Sequence, residues 1–166
     1  PAEGSAKFEL QTTDGEGFSV AFPREKPVVS IFVMSDCPIA NAAAPEIGRV
    51  LKEFQAQPIV IVLVYVDADV TIRKVQEHQS KYSLKGTALL DPYRKWSRHL
   101  AVNIAPQVTV HRADGTLVYQ GRIDDRYNDY GKRIAEANSF YLFDAVTAVL
   151  AGKEPAVQKT EPIGCH

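Results

Sequence analysis

The 166-residue chain is 45% hydrophobic and 23% charged, the composition of one globular domain with its own core. Its formal net charge is -1 and it has no run of like charges, so no nucleic acid or anionic membrane surface is implied as a partner. The most apolar run, PIVIVLVYV at 58–66, falls well short of the roughly 18–20 residues of a transmembrane segment, and two cysteines are too few for a disulfide scaffold.

The chain opens with two alternating runs, 7–22, around Asp14-Gly15-Glu16-Gly17, which predicts an N-terminal β-hairpin. KPVVSIFVMS (26–35) is nearly continuously apolar and reads as a strand buried on both faces. Residues 38–54 have the spacing of one helix, with Ile47, Val50, Leu51 and Phe54 on one face and Pro38 in the first turn. PIVIVLVYVD (58–67) is a second buried strand, and 71–84 an amphipathic helix capped by Asp69 or Thr71. TALLD (87–91) is a short strand before a short helix at 92–102. QVTVHRADGTLVYQG (107–121) alternates around Ala113-Asp114-Gly115 and predicts a second hairpin. A final helix spans 133–152, ending at Gly152. This order predicts an α/β domain over 1–152, a central mixed β-sheet flanked by helices on both faces, with a tail at 153–166. No Gly-rich phosphate loop is present, so no organic cofactor is implied.

Chemistry concentrates at MSDCPIAN, residues 34–41. Cys37 ends the first buried strand and opens a helix, a proline follows eight residues later at Pro45, and Ala105-Pro106 precedes the second hairpin. These features resemble the thioredoxin fold, in its redoxin branch of thioredoxin-like and peroxiredoxin-related bacterial proteins, over about residues 7–150. The stretches DCPIAN (36–41) and GRIDDR (121–126), with Gly164-Cys165 near the end, resemble that branch most closely. The resemblance implies a cis Ala105-Pro106 bond and a redox-active Cys37. Two departures are plain. Ala40 stands where a C-x-x-C motif has its second cysteine, and Ser30 and Met34 stand where peroxiredoxins carry their proline and their threonine or serine.

The resemblance therefore implies a thiol oxidoreductase acting by thiol-disulfide exchange or thiol-dependent peroxide reduction. Cys37 is the nucleophile and Cys165 the resolving thiol, carried back by a mobile tail toward the active site. About 14 residues after Gly152 span over 40 Å, which exceeds the retreat of the last helix. A thiolate at a helix start is favoured by free N–H groups, whereas Asp36 beside it raises the thiol pKa or caps the helix. Arg122 or Arg126 of GRIDDR would stabilise a thiolate or orient a peroxide oxygen, with Asp124 and Asp125 placing that arginine, moving a proton or helping to hold a metal. Pro106 and Ala105 would present backbone to an extended substrate, alongside Asp36, Pro38 and Asn41. The partners implied are a disulfide-containing protein or a peroxide, and an external thiol reductant.

Other readings stay open. The cysteines can form a static clasp for the tail, or be unrelated. Cys37, Cys165 and His166 form a soft set suited to Cu(I) or Zn(II), as in copper-handling chaperones of this fold. A non-catalytic binding module also explains the missing second motif cysteine. His78, His99 and His111 show no ligand spacing and read as core or surface residues. The resemblance, a chain beginning at Pro1 and the potential for a disulfide together point to a periplasmic or secreted protein whose signal has been removed.

Overall fold

A computed structural model describes residues 6–129 and 132–166. Strands β1 (Lys7–Thr12) and β2 (Gly17–Ala21) pair antiparallel. At their turn the Asp14 carboxylate accepts the Glu16 N–H at 3.0 Å and the Thr12 hydroxyl, while Gly15 takes φ +84°. β3 (Val28–Val33) is buried at every position, with β4 (Val60–Tyr65) parallel beside it and β5 (Thr87–Leu90) parallel beyond. β6 (Gln107–His111) runs antiparallel to β3, and β7 (Leu117–Gly121) completes the hairpin. The sheet order is β2-β1-β5-β4-β3-β6-β7, a mixed sheet of the thioredoxin fold with β3 near its centre.

A central strand with apolar residues on both sides needs cover on both sides. The helices are α1 (Pro38–Ala42), α2 (Ala44–Glu53), α3 (Ile72–Tyr82), α4 (Lys95–His99) and α5 (Tyr141–Leu150). On one face Val29, Ile31 and Val33 meet Ile47 and Val50 of α2, Val75 of α3 and Leu142 of α5. On the other, Val28 and Phe32 pack with Val62, Val64 and Leu89 against Trp96 of α4. Each such side chain contributes about 1.5–3 kcal/mol by leaving water. Local signals start the helices: Thr71 Oγ1 accepts the Lys74 N–H at 3.2 Å, and the Asp91 carboxylate accepts those of Lys95 and Trp96 at 2.7 and 3.1 Å.

Two helices differ from the sequence expectation. The single helix over 38–54 is divided at Ala43, which ends α1 and caps α2. Pro45, lacking an N–H and crowding the carbonyl four residues back, breaks the continuous ladder. The predicted apolar face is nevertheless buried as a unit. The last helix begins at Tyr141 rather than at Arg133. In 133–139 only Ile134 is a large apolar residue, so no face is available to hold a short helix. Lys132–Arg133 instead pairs as β9 with β8 (Tyr127–Asp129), and the Asp125 carboxylate takes the N–H groups of Asn138 and Ser139 at 2.8 and 3.0 Å.

Candidate active site

Beyond β3 the chain turns through Met34–Asp36, and the Cys37 N–H donates to the Met34 carbonyl at 3.2 Å. Cys37 is the N-cap of α1, with extended backbone, and its carbonyl accepts the Asn41 N–H at 2.9 Å. Pro38 follows at the first helical position, where its missing donor is no loss. Asp36 is exposed and α1 has no side-chain cap bond. The capping role considered for Asp36 is thus not taken up, because Cys37 itself occupies the cap position.

The sulfurs of Cys37 and Cys165 are joined as a disulfide, with Cα atoms 6.1 Å apart and a sequence separation of 128. The Ala105–Pro106 peptide is cis, and the Cys37 sulfur lies 3.5 Å from the Ala105 carbonyl oxygen. A second cis bond, Phe22–Pro23, lies outside the sequence reading. Main-chain bonds hold Cys165 to Ala105 in both directions, at 2.7 and 2.9 Å. The tail is docked rather than loose along this course. It meets β7 first, where Gln120 N–H donates to the Gln158 carbonyl and Thr160 N–H to the Gln120 carbonyl, both at 3.2 Å. Thr160 Oγ1 then accepts the Arg122 N–H at 2.8 Å and bonds the Tyr119 hydroxyl at 2.7 Å. Gly121 makes this contact possible, since a Cβ there would lie 2.1 Å from Thr160 Oγ1.

Beside the disulfide is a small pocket lined by Ile39, Pro106, Arg122, Asp124, Arg126 and Ile163, among others. It joins α1, the cis-proline loop, the GRIDDR stretch and the tail. The Arg122 guanidinium donates to the Tyr127 carbonyl at 3.1 Å and lies 5.5 Å from the Tyr141 ring centroid. The Nε atoms of Arg122 and Arg126 are buried without a hydrogen-bond partner among the described residues. Asp124 accepts the Arg126 N–H at 3.0 Å, and burial pushes its carboxyl pKa upward. Asp125 turns away from the pocket to brace the approach to α5.

Sequence reasoning missed a polar network behind Cys37. The Asn41 side-chain amide donates to the Ser35 carbonyl at 3.1 Å, and its oxygen accepts from His78 Nε2 at 2.7 Å. That orientation leaves His78 Nδ1 to accept the Tyr65 hydroxyl at 2.7 Å. Burial lowers the His78 pKa and raises that of Tyr65, so both are held neutral. Asp67 completes the set, its carboxylate accepting the Ser35 N–H at 3.1 Å and the Ser35 hydroxyl. Asn41, His78 and Asp67 come from three separate elements, and only β4 ending next to β3 places them together. The one local signal was a polar Asn41 on an otherwise apolar, alanine-rich helix start.

His111 is buried and His99 exposed, both on the far side of the sheet with Trp96. His166 is exposed at the chain end. Among the described residues no group of three or more His, Cys, Asp or Glu side chains is arranged to hold a metal ion.

Comparison with known proteins identifies a family and a shared fold. The AhpC/TSA family model matches residues 3–125. The soluble secreted antigen MPT53 of Mycobacterium tuberculosis is 31% identical over 119 residues, covering 71% of this chain and 66% of that protein's own length. Among solved structures, the hypothetical protein SMc02350 from Sinorhizobium meliloti superposes with a TM-score of 0.83 at 22% identity, over 97% of this chain and 90% of that one. A secreted Mycobacterium tuberculosis disulfide oxidoreductase homologous to E. coli DsbE superposes with a TM-score of 0.60 at 23% identity, over 87% and 95%. These superpositions establish the shared fold.

Proposed function

The chain belongs to the AhpC/TSA family, and on that premise we propose that it is a thiol oxidoreductase with Cys37 as nucleophile and Cys165 as resolving thiol. The observation that carries the reading is the Cys37–Cys165 disulfide lying across the Ala105 main chain. A partner thiol carried by the tail would account for a docked segment that brings its cysteine onto the sulfur at the helix start.

In the reductive direction the Cys37 thiolate attacks one sulfur of a substrate disulfide, forming a mixed disulfide and releasing the other sulfur as thiolate. Cys165 thiolate then attacks the Cys37 sulfur, forming the Cys37–Cys165 bond and releasing the second substrate thiolate. An external dithiol donor returns two electrons and is itself oxidised to a disulfide. Cys37 serves at the N-cap of α1, where unpaired N–H groups favour its anion. Arg122 and Arg126 lend positive charge from the pocket, and Asp124, its pKa raised by burial, can hold a proton beside them. Ala105 and cis Pro106 supply the surface against which the reacting chain lies, and Asn41 fixes the turn before Cys37.

A disulfide-bearing polypeptide suits this site better than a peroxide. The open backbone of Ala105 pairs with another backbone, as it does with Cys165. Ser30 is buried and accepts the Trp96 indole N–H at 3.0 Å, so it belongs to the core rather than to a peroxide pocket. Export fits the names of the secreted relatives, and no helix among the described residues is long and apolar enough to cross a membrane.

The test is turnover of a disulfide-bonded peptide with dithiothreitol as donor. With dithiothreitol withheld, Cys165→Ser is expected to hold one equivalent of a Cys37–peptide mixed disulfide, which dithiothreitol then cleaves, and its turnover is expected to be slower than that of the unaltered chain. Cys37→Ser is expected to form no adduct, and full turnover by that variant would end this assignment.

A further inference from the structure

We infer that the site selects polypeptides in which glycine directly precedes the reacting cysteine, with an apolar residue before it; this rests on the reading of Cys37 as the attacking thiol. The tail shows the register. Its Ile163-Gly164-Cys165 segment places the cysteine on Cys37 and its main chain on Ala105, through hydrogen bonds of 2.7 and 2.9 Å. Gly164 is buried, and a Cβ added to it would lie 2.1 Å from the Ala105 carbonyl oxygen, 2.5 Å from the carbonyl carbon and 2.9 Å from Pro106 Cδ.

Those atoms cannot swing aside as the end of a flexible side chain can. Two belong to the main chain of Ala105, which is 3% exposed, and the third to the ring that follows it. Gly164 is not in the left-handed region of backbone space, so the constraint is space, not backbone conformation. Ile163, one residue earlier, helps line the pocket with Ile39 and Pro106, which gives the preceding position an apolar seat. Any chain that replaces the tail in the same register meets the same wall. The mixed disulfide with substrate forms while the tail stands aside, and the tail then retakes the position by attacking the Cys37 sulfur.

The test uses the full chain carrying Cys165→Ser and two synthetic peptides, EPIGCH and EPIACH. Each is activated as its mixed disulfide with 5-thio-2-nitrobenzoate. Cys37 thiolate attacks the peptide sulfur, the Cys37–peptide bond forms, and the coloured aromatic thiolate leaves in equal amount. The docked tail competes equally with both peptides, so the ratio of their rates reads the selectivity alone. EPIGCH is expected to react at least 10-fold faster than EPIACH. Equal rates would overturn the inference while leaving the redox assignment intact, provided that the small disulfide 5,5′-dithiobis(2-nitrobenzoate) still modifies Cys37. If that reagent also leaves Cys37 untouched, the nucleophile assignment itself fails, and the selectivity falls with it.

Discussion

Ala105 and Cys165 exchange both of their main-chain hydrogen bonds, at 2.9 and 2.7 Å. This pairing sets the last turn of the tail against the cis Ala105–Pro106 bond and delivers the Cys165 sulfur to Cys37. A second sulfur thereby reaches Cys37 from 128 positions further along the chain. Two docking points act in series, because Thr160 is fixed to Tyr119 and Arg122 before the chain reaches Ala105.

The first expectation concerns stability. A bridge spanning 128 residues removes a large amount of freedom from the unfolded chain, about 5 kcal/mol in the chain-entropy model and about 2–4 kcal/mol in common measurement. Urea unfolding of oxidised protein is expected to show that increment over reduced protein. Cys165→Ser should match the reduced form and be insensitive to reductant.

Asn41 links the helix start to the interior. Replacing it with alanine leaves the Ser35 carbonyl and His78 Nε2–H without their partners, and each buried polar group stranded in this way costs about 1–3 kcal/mol. Asn41→Ala is expected to lower the unfolding free energy and to raise the iodoacetamide reaction rate of reduced Cys37 several-fold as its turn loosens. An unchanged rate would confine Asn41 to stability.

The acid limb of the stability profile should carry the mark of His111. Burial, with His99 nearby as a smaller influence, takes its pKa from 6.5 down to about 4. The unfolded chain binds a proton near pH 6.5 that the native state refuses until about pH 4, so stability is complete above that window and declines as pH falls through it. The loss from this one group has a ceiling of about 3 kcal/mol, and His78, also lowered by burial, adds to it in the same direction. His111→Phe keeps the ring that packs on Phe22 and is expected to flatten the slope between pH 6.5 and 4.5 in urea titrations.

Asp124 works with the opposite sign. Its carboxyl pKa is raised by burial, so the native state holds a proton longer than the unfolded chain does, and stability falls as pH rises past the ordinary carboxylate range. Asp124→Asn retains an oxygen for the Arg126 N–H and is expected to leave stability at pH 7 equal or higher. The same variant should slow exchange at neutral pH if Asp124 holds the proton that the leaving thiolate needs.

What the sequence conveyed well was local. Cys37 after a nearly continuous apolar strand, Pro38 at the helix start and the alternation around Gly115 are each decided by neighbours within a few positions. The helix division was also local, since Pro45 carries it, but the strong apolar spacing of Ile47, Val50 and Leu51 masked it. The stretch 133–139 has acceptable helix propensity and lacks a face to bury, so tertiary bonds to Asp125 decided its form. The network of Asn41, His78, Tyr65 and Asp67 depends on strand adjacency alone, and no spacing announces it. Thr160 was hidden for a related reason. An aperiodic tail gives no pattern, yet one hydroxyl within it meets the Arg122 N–H and the Tyr119 hydroxyl.

The most direct test of the account is the state of the two thiols through one redox cycle. Protein reduced and freed of reductant would be treated with one equivalent of oxidised glutathione, quenched by alkylation, and digested without reductant for mass spectrometry. The account predicts that the Cys37–Cys165 linked peptides return in near-full yield, with two glutathione thiols released per chain. Persistent glutathionylation of Cys37 with Cys165 alkylated would contradict it, since the tail thiol would then have failed to resolve the adduct.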